Sequence, residues 1–196
     1  MRPTVFTTTT TTAALALAAT TAMAAPETYE LDPGHSQVVF TYNHLGFSTT
    51  TGMFGGFEGE IQFDEADPAN SSVSVAMPVM SMFTGWEKRD VHFMSDEFFG
   101  AEPGDLVTFT STDIEVTGEN TAVIIGDLTM NGITKSVALD TVMNQKVDAH
   151  PMNNRPWMGF DATTTLKRSD FDVDMFAPYV SDEVEVMISI EAGKPE

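Results

Sequence analysis

The sequence predicts an all-β protein of about eight antiparallel strands with one short helical lid. Three observations carry that prediction. Apolar and polar residues alternate with period two in segment after segment, as half-buried strands require. Turn chemistry built from Gly, Pro, Asn and Asp separates those segments. Only one stretch, Thr84 to Phe99 (TGWEKRDVHFMSDEFF), asks for a helix instead.

Taken in order, Ser36, Val38, Phe40, Tyr42 and His44 share one face of the first clear strand, and Leu45-Gly46-Phe47 ends it. Phe57, Gly59, Ile61 and Phe63 share a face of the next, with Gly55-Gly56 before them as a bulge or sharp bend. Asp64 to Asn70 is turn chemistry, after which Val73, Val75, Met77 and Val79 alternate with small residues. In the helical stretch Thr84 is placed to cap, and Glu87 to complete a capping box. Ser95 opens a second turn whose acids sit where a helix dipole favours them. Val107, Phe109 and Ser111 follow, then a hairpin tip at Thr117 to Asn120, then Gly126, Leu128 and Met130. Asn131-Gly132 is the strongest hairpin signal in the chain. Val137, Leu139, Thr141 and Met143 return, Asp148 to Pro156 is a loop, and Phe160 to Leu166 and Val184 to Ile190 make the last two strands.

Such a pattern folds as a sandwich or a barrel. Aromatic residues (Phe40, Tyr42, Phe57, Phe63, Phe109, Phe160) interleave on the inner faces with Ser36, Gly59, Ser111 and Gly126. Small residues opposite large ones leave room inside, and eight strands can enclose one elongated ligand. A sandwich core filled by the same aromatics is the alternative that spacing leaves open.

Residues 1–24 read as an export signal, with Arg2, the apolar run Ala13 to Ala19, and Ala22-Met23-Ala24 as a small-x-small cleavage pattern. That run is far short of the roughly 20 residues a membrane-spanning helix needs, and no later stretch reaches that length. The expectation is one soluble periplasmic domain, residues 25–196, without stable membrane insertion. There are no cysteines, which excludes disulfides, thiol nucleophiles and thiolate metal sites. With 29 acidic against nine basic residues and a net charge of −20, the surface repels nucleic acid and anionic membrane faces. The acid excess reads first as a hydrated, soluble surface and second as a match for a cationic partner.

The motifs LDPGHSQVVFTYNHLG at 31–46, GMFGGFEGEIQFD at 52–64, RDVHF with DEFF at 89–99, FTS at 109–111, GDLTMNGITK at 126–135 and GFDATTTLKRSDF at 159–171 stand in one order along the chain. In that order they resemble the YceI-like family of secreted lipocalin-like proteins. The resemblance implies an extended lipocalin-like antiparallel β-barrel with a long apolar tunnel. It implies as ligand an isoprenoid or similar long-chain amphiphile, such as an isoprenoid quinone, a polyprenyl phosphate or a fatty-acid amide. It allows a homodimer, although no exposed seam is evident in the sequence. Asp172 stands where family members have Gly after the R-x-D-F motif, which puts the local turn in question.

The chemistry-bearing residues fit binding better than catalysis. His35, His44, His92 and His150 lack the spacing of a helical zinc site, the serine-hydrolase elbow is absent, and no Lys follows Gly55 to Gly59 as a phosphate loop requires. The expectation is a non-enzyme with no cofactor beyond its bound lipid, an isoprenoid quinone among the candidates. The expected apolar lining is Val38, Phe40 and Tyr42; Phe54, Phe57, Ile61 and Phe63; Met77, Trp86 and Phe93; and Phe109, Leu128, Met130 and Phe160. The expected polar groups at the head or lid are Ser36, His44, Thr84, Arg89, Asp90, His92 and Arg168. At roughly 0.8 kcal/mol per buried methylene, ten sheathed carbons supply about 8 kcal/mol before ordering costs.

Two expectations concern charge. With so many acids available, most Lys and Arg should already be paired, Arg89 with Asp90 or another acid so as to pin the lid to the rim. An uncompensated buried anion is costly, so a neutral head is expected over a diphosphate. The runner-up function is an accessory β-domain acting in envelope stress through protein contacts.

Overall fold

A computed structural model describes residues 25–196; the expected leader lies outside the described residues. The alternating segments form ten strands: β1 Glu27–Leu31, β2 Gln37–His44, β3 Ser48–Phe54, β4 Glu58–Phe63, β5 Ser72–Pro78, β6 Leu106–Gly118, β7 Thr121–Met130, β8 Ile133–Val147, β9 Trp157–Lys167 and β10 Glu183–Gly193. They make one antiparallel sheet in the order β1-β4-β5-β6-β7-β8-β9-β10-β2-β3, and a β1–β10 pairing closes it into a barrel.

Ten strands make eight staves. β10 pairs β9 along its whole length, and on its other edge pairs β2 through Glu185 to Ser189 and β1 at Ala192 and Gly193. β1 and β2 are therefore halves of one stave, broken at Asp32 to Ser36, where Pro33 cannot donate to a ladder. β3 pairs β2 and β4 pairs β1, so these two form the neighbouring stave, broken at Gly55 to Phe57. Gly56 holds φ +67° there, a left-handed conformation glycine adopts without strain. The bend expected at Gly55-Gly56 is this break.

The turns follow their residue chemistry. Asn131 and Gly132 have φ +52° and +73° and join Met130 to Ile133 in a two-residue hairpin, whose twist matches the flanking strands. Asp172 sits at φ +56°, ψ +33°. Asp tolerates this left-handed geometry better than most residues, so the turn questioned from the sequence forms without glycine.

The lid differs from expectation. Its helix α1 spans only Glu87–Met94, Trp86 occupies the N-cap, and no side chain caps it. Thr84 is drawn into another bond set, described below. The helix buries none of its residues fully; Phe93, Met94 and Phe99 pack partly against the barrel core. Phe93 lies 6.3 Å from Tyr42 and 4.9 Å from Phe98, centroid to centroid.

Candidate functional site

Inward residues of the eight staves enclose a lumen of two lobes. The mouth lobe, about 470 Å³, lies under α1 and the segment 172–182. The far lobe, about 210 Å³, runs to the β6–β7 hairpin, where Glu119 and Asn120 line its end. The first falls within the range of small-molecule pockets.

All fourteen residues expected as apolar lining face this lumen. Phe40, Tyr42, Phe54, Trp86, Phe93, Leu128 and Met130 line the mouth lobe, Phe57, Ile61, Phe63 and Phe160 the far lobe, and Val38, Met77 and Phe109 both. Trp86 is the loosest, 57% exposed at the rim with the Arg89 guanidinium 5.8 Å from its ring centroid.

Glycine creates room by a route that alternation alone does not predict. A Cβ on Gly52 would meet the ring of Phe40 opposite it on β2, and a Cβ on Gly126 would meet the ring of Phe109 on β6. Each aromatic ring lies back on a glycine of the neighbouring strand instead of projecting across the lumen. The wall stays smooth and the interior stays open.

The expected polar residues divide. His44, Arg89, His92 and Arg168 line the mouth lobe. Ser36 does not: it sits in the β1–β2 break, where its hydroxyl accepts from the Glu191 amide at 3.3 Å. Thr84 and Asp90 do not either. Asp90 Oδ1 accepts from the Thr84 amide at 2.9 Å and from the Thr84 hydroxyl, while Arg89 donates to Thr84 Oγ1 at 2.8 Å and to its carbonyl at 2.7 Å. Arg89 and Asp90 thus converge on Thr84, which replaces the expected Arg89–Asp90 pair. The hub ties α1 to Phe83, whose backbone pairs with Met53 of β3 at 2.9 Å.

Arg168 has a structural task. It donates to the carbonyls of Ser181, Val173, Met175 and Val180 at 2.7–3.2 Å, folding the segment 172–182 over the mouth. Burial pushes its guanidinium below the ordinary arginine range, while Asp182 and Asp174 nearby oppose that shift. The segment delivers Val173, Met175, Phe176 and Val180 to the lining. Sequence reasoning missed these four, because a loop has no periodicity; an Arg followed by an aperiodic apolar run was the available signal. Val137 and Leu139 of β8 and Val184, Val186 and Ile188 of β10 also line the lumen, as their alternation implied.

The expectation that most basic residues are paired is overturned. Among the described residues Lys146, Arg155 and Lys194 pair with carboxylates, whereas Lys88, Arg89, Lys135, Lys167 and Arg168 do not. Four of these five line the mouth lobe, and no Asp or Glu does. His92 is paired, its Nε2 2.6 Å from Glu97 Oε2.

One cluster with cation-ligating chemistry, Asp32, His35 and Glu191, lies at the β1–β2 break, outside the lumen. Its groups already have partners: His35 Nδ1 is 2.7 Å from Asp32 Oδ2, and Trp157 Nε1 donates to Glu191 at 2.8 Å. The rim also carries exposed apolar residues that the sequence alone did not mark. Phe47 is 88% and Tyr179 76% exposed, on segments joined by the Leu45 amide to Tyr179 carbonyl bond of 3.1 Å.

Comparison with known proteins places this barrel. The pattern of the YceI-like domain matches residues 29–192. A UPF0312 protein of Ectopseudomonas mendocina is 38% identical over 174 residues, covering 87% of this chain and 88% of that protein. The crystal structure of BcnA from Burkholderia cenocepacia superposes with TM-score 0.73 at 24% identity, covering 82% of this chain and 98% of that one. A domain from Saccharophagus degradans described as polyisoprenoid binding superposes with TM-score 0.65 at 14% identity, covering 85% and 98%.

Proposed function

The chain belongs to the YceI-like family, and on that footing we propose that it binds and sequesters or carries one long-chain isoprenoid-type lipid in the periplasm, with an anionic head at the mouth. The observation that carries the reading is the mouth lining. In a chain of net charge −20, it gathers Lys88, Arg89, Lys167 and Arg168 and excludes every carboxylate. Beneath them the lumen is walled by Val, Ile, Leu, Met and Phe. That is the layout of an amphiphile: a charged end, then a long apolar one.

The polyprenyl phosphate class therefore displaces the neutral quinone or amide favoured from the sequence, since the scarcity of free cations behind that choice does not hold at the mouth. The polyisoprenoid binding domain of the same fold is consistent with a ligand of this length class. Lys88 and Lys167 are exposed and meet the head, while Arg89 and Arg168 contribute fixed charge from behind their hydrogen bonds. The export signal read in residues 1–24 accounts for the compartment. The protein is read as a binder and not as an enzyme.

Titration with a matched pair, a polyprenyl phosphate and the polyprenol of equal length, tests this. Quenching of Trp86 at the mouth reports occupancy. The phosphate is expected to bind at least about tenfold tighter, the worth of one charge-assisted hydrogen bond. Equal or tighter binding of the polyprenol overturns the anionic head.

A second reading rests on the exposed rim. Phe47 and Tyr179 give a surface for protein contacts, a second copy of the chain included. Replacing both with Ser leaves lipid uptake intact under the first reading and abolishes association under the second.

A further inference from the structure

Six side chains line both lobes: Val38, Met77, Val107, Phe109, Leu139 and Ile188. They come from β2, β5, β6, β8 and β10, and so encircle the lumen at one level. The staves between them contribute small residues near that level, Gly126 on β7 and Ala162 on β9. Large residues from five strands, paired as Ile188 with Val38 and Met77 with Val107 and relieved by glycine and alanine on β7 and β9, make a constriction with one adjustable element. That element is Phe109, because its ring is the one laid over a glycine. While the ring rests on Gly126 it occupies the wall; lifted off, it has only the lumen to enter.

We propose that this waist is the length selector of the barrel and that Phe109, held on Gly126, sets its aperture. The proposal rests on the lipid-binding reading above and deepens it. Amphiphiles short enough to end at the waist occupy the mouth lobe alone. Longer ones must thread past Phe109 and bury their distal part against Phe57, Ile61 and Phe160 in the far lobe. Tail discrimination then takes place in mid-barrel as well as at the closed end. The free energy that separates long from short ligands comes from the far lobe, which a tail entering at the mouth reaches through this ring.

The experiment uses the full-length protein with geranyl phosphate as the short probe and undecaprenyl phosphate as the long one, each titrated against wild type and three variants. Leu139→Phe narrows the waist from β8 without touching Gly126. Ile188→Phe narrows it from β10 and stands in if the first variant does not fold, as judged by its thermal transition. Phe109→Leu widens it. Narrowing is expected to weaken the long probe more than about tenfold, since as few as two lost methylene contacts have that effect. The short probe, which meets the ring only at its end, should lose far less, so that the ratio of long-probe to short-probe affinity falls about tenfold. Widening should leave the long probe at least as tight as in wild type. If narrowing weakens both probes equally or neither, the waist does not select and the lipid-binding reading stands. If wild type binds neither probe, that reading falls and the selector with it.

Discussion

The two lobes of the lumen share staves and differ in almost everything else. The far lobe is walled mainly by ladder: β6, β7, β8 and β9 pair through it, bulged at three places, and its lining carries hydroxyls such as Thr141 but no charge until Glu119. Ladder and loops together build the mouth lobe. α1 and its lead-in supply Lys88, Arg89 and the rim ring of Trp86, the end of β9 and the turn after it supply Lys167 and Arg168, and the segment 172–182 adds Phe176. Regular backbone satisfies its own hydrogen bonds, so its inward side chains are free to be largely apolar. Irregular backbone needs partners, and Arg89 and Arg168 supply them by donating to carbonyls. Under the lipid-binding proposal, the tail would be held by ladder and the head would be met mostly where ladder gives way to helix and turn.

The sharpest way to break this contrast is to place the same charge in each lobe. Phe57, 3% exposed, faces the far lobe, where nothing compensates a carboxylate. Phe57→Asp is expected to destabilise by about 3–5 kcal/mol, the scale of an unpaired buried charge. Phe40, 8% exposed, faces the lobe with four cations. Phe40→Asp should keep the fold better while abolishing uptake of an anionic lipid, since the new carboxylate competes for the head's partners. Chemical denaturation of the two variants compares them, and equal losses of stability would erase the distinction between lobes.

The next test acts on the mouth alone. Lys88→Glu with Lys167→Glu should weaken a polyprenyl phosphate by about 1.5–3 kcal/mol, the worth of a hydrogen bond to a charged group, and leave the matching polyprenol within about 0.5 kcal/mol. Calorimetry with both ligands measures the difference. Loss of both would show the lysines to be structural.

A smaller effect is expected at the hub. Thr84→Val removes the hydroxyl that joins Asp90 to Arg89, at a cost of about 1–2 kcal/mol. Amide exchange should quicken across Glu87–Met94 and stay unchanged in β7 and β8. Exchange that quickens everywhere would mean the lid and the barrel unfold as one unit.

The smallest expected effect lies outside both lobes, at the β1–β2 break. The hydrogen bond to Asp32 raises the His35 pKa, and the same bond, with the Gly34 amide, lowers that of Asp32. The His35 contribution is complete below its unfolded value of 6.5 and is lost as pH rises through its raised folded value. That of Asp32 is complete above 3.8 and is lost as pH falls through its lowered value. The pair is therefore fully effective only between pH 3.8 and 6.5. His35→Ala should flatten the difference in thermal midpoint between pH 6 and 8, and an unchanged difference removes the pair from the stability of the joint.

How much of this was legible follows the same division. Period-two alternation marked every far-lobe residue expected, from Phe57 to Phe160, because a stave places alternate side chains on one side whatever its neighbours do. The glycine pair, not the alternation, marked the bend at Gly55-Gly56. Alternation did not show that the Asp32 to Ser36 break leaves β1 and β2 in one stave, since that depends on which parts of β10 each half meets. The mouth was read less well. Thr84 has the signature of a cap, and in the fold its oxygens are claimed by Arg89 and Asp90. Counting acids against bases predicted pairing, but pairing is set by distance in the fold, and the four mouth cations make no salt bridge among the described residues.

The most direct test of the account is native mass spectrometry of the protein produced from the full sequence, residues 1–24 included, followed by extraction and mass analysis of whatever it holds. The account predicts a single retained species with a long isoprenoid tail and a phosphate-bearing head, released on unfolding. A protein that carries no such species, and takes none up when mixed with polyprenyl phosphate, contradicts it.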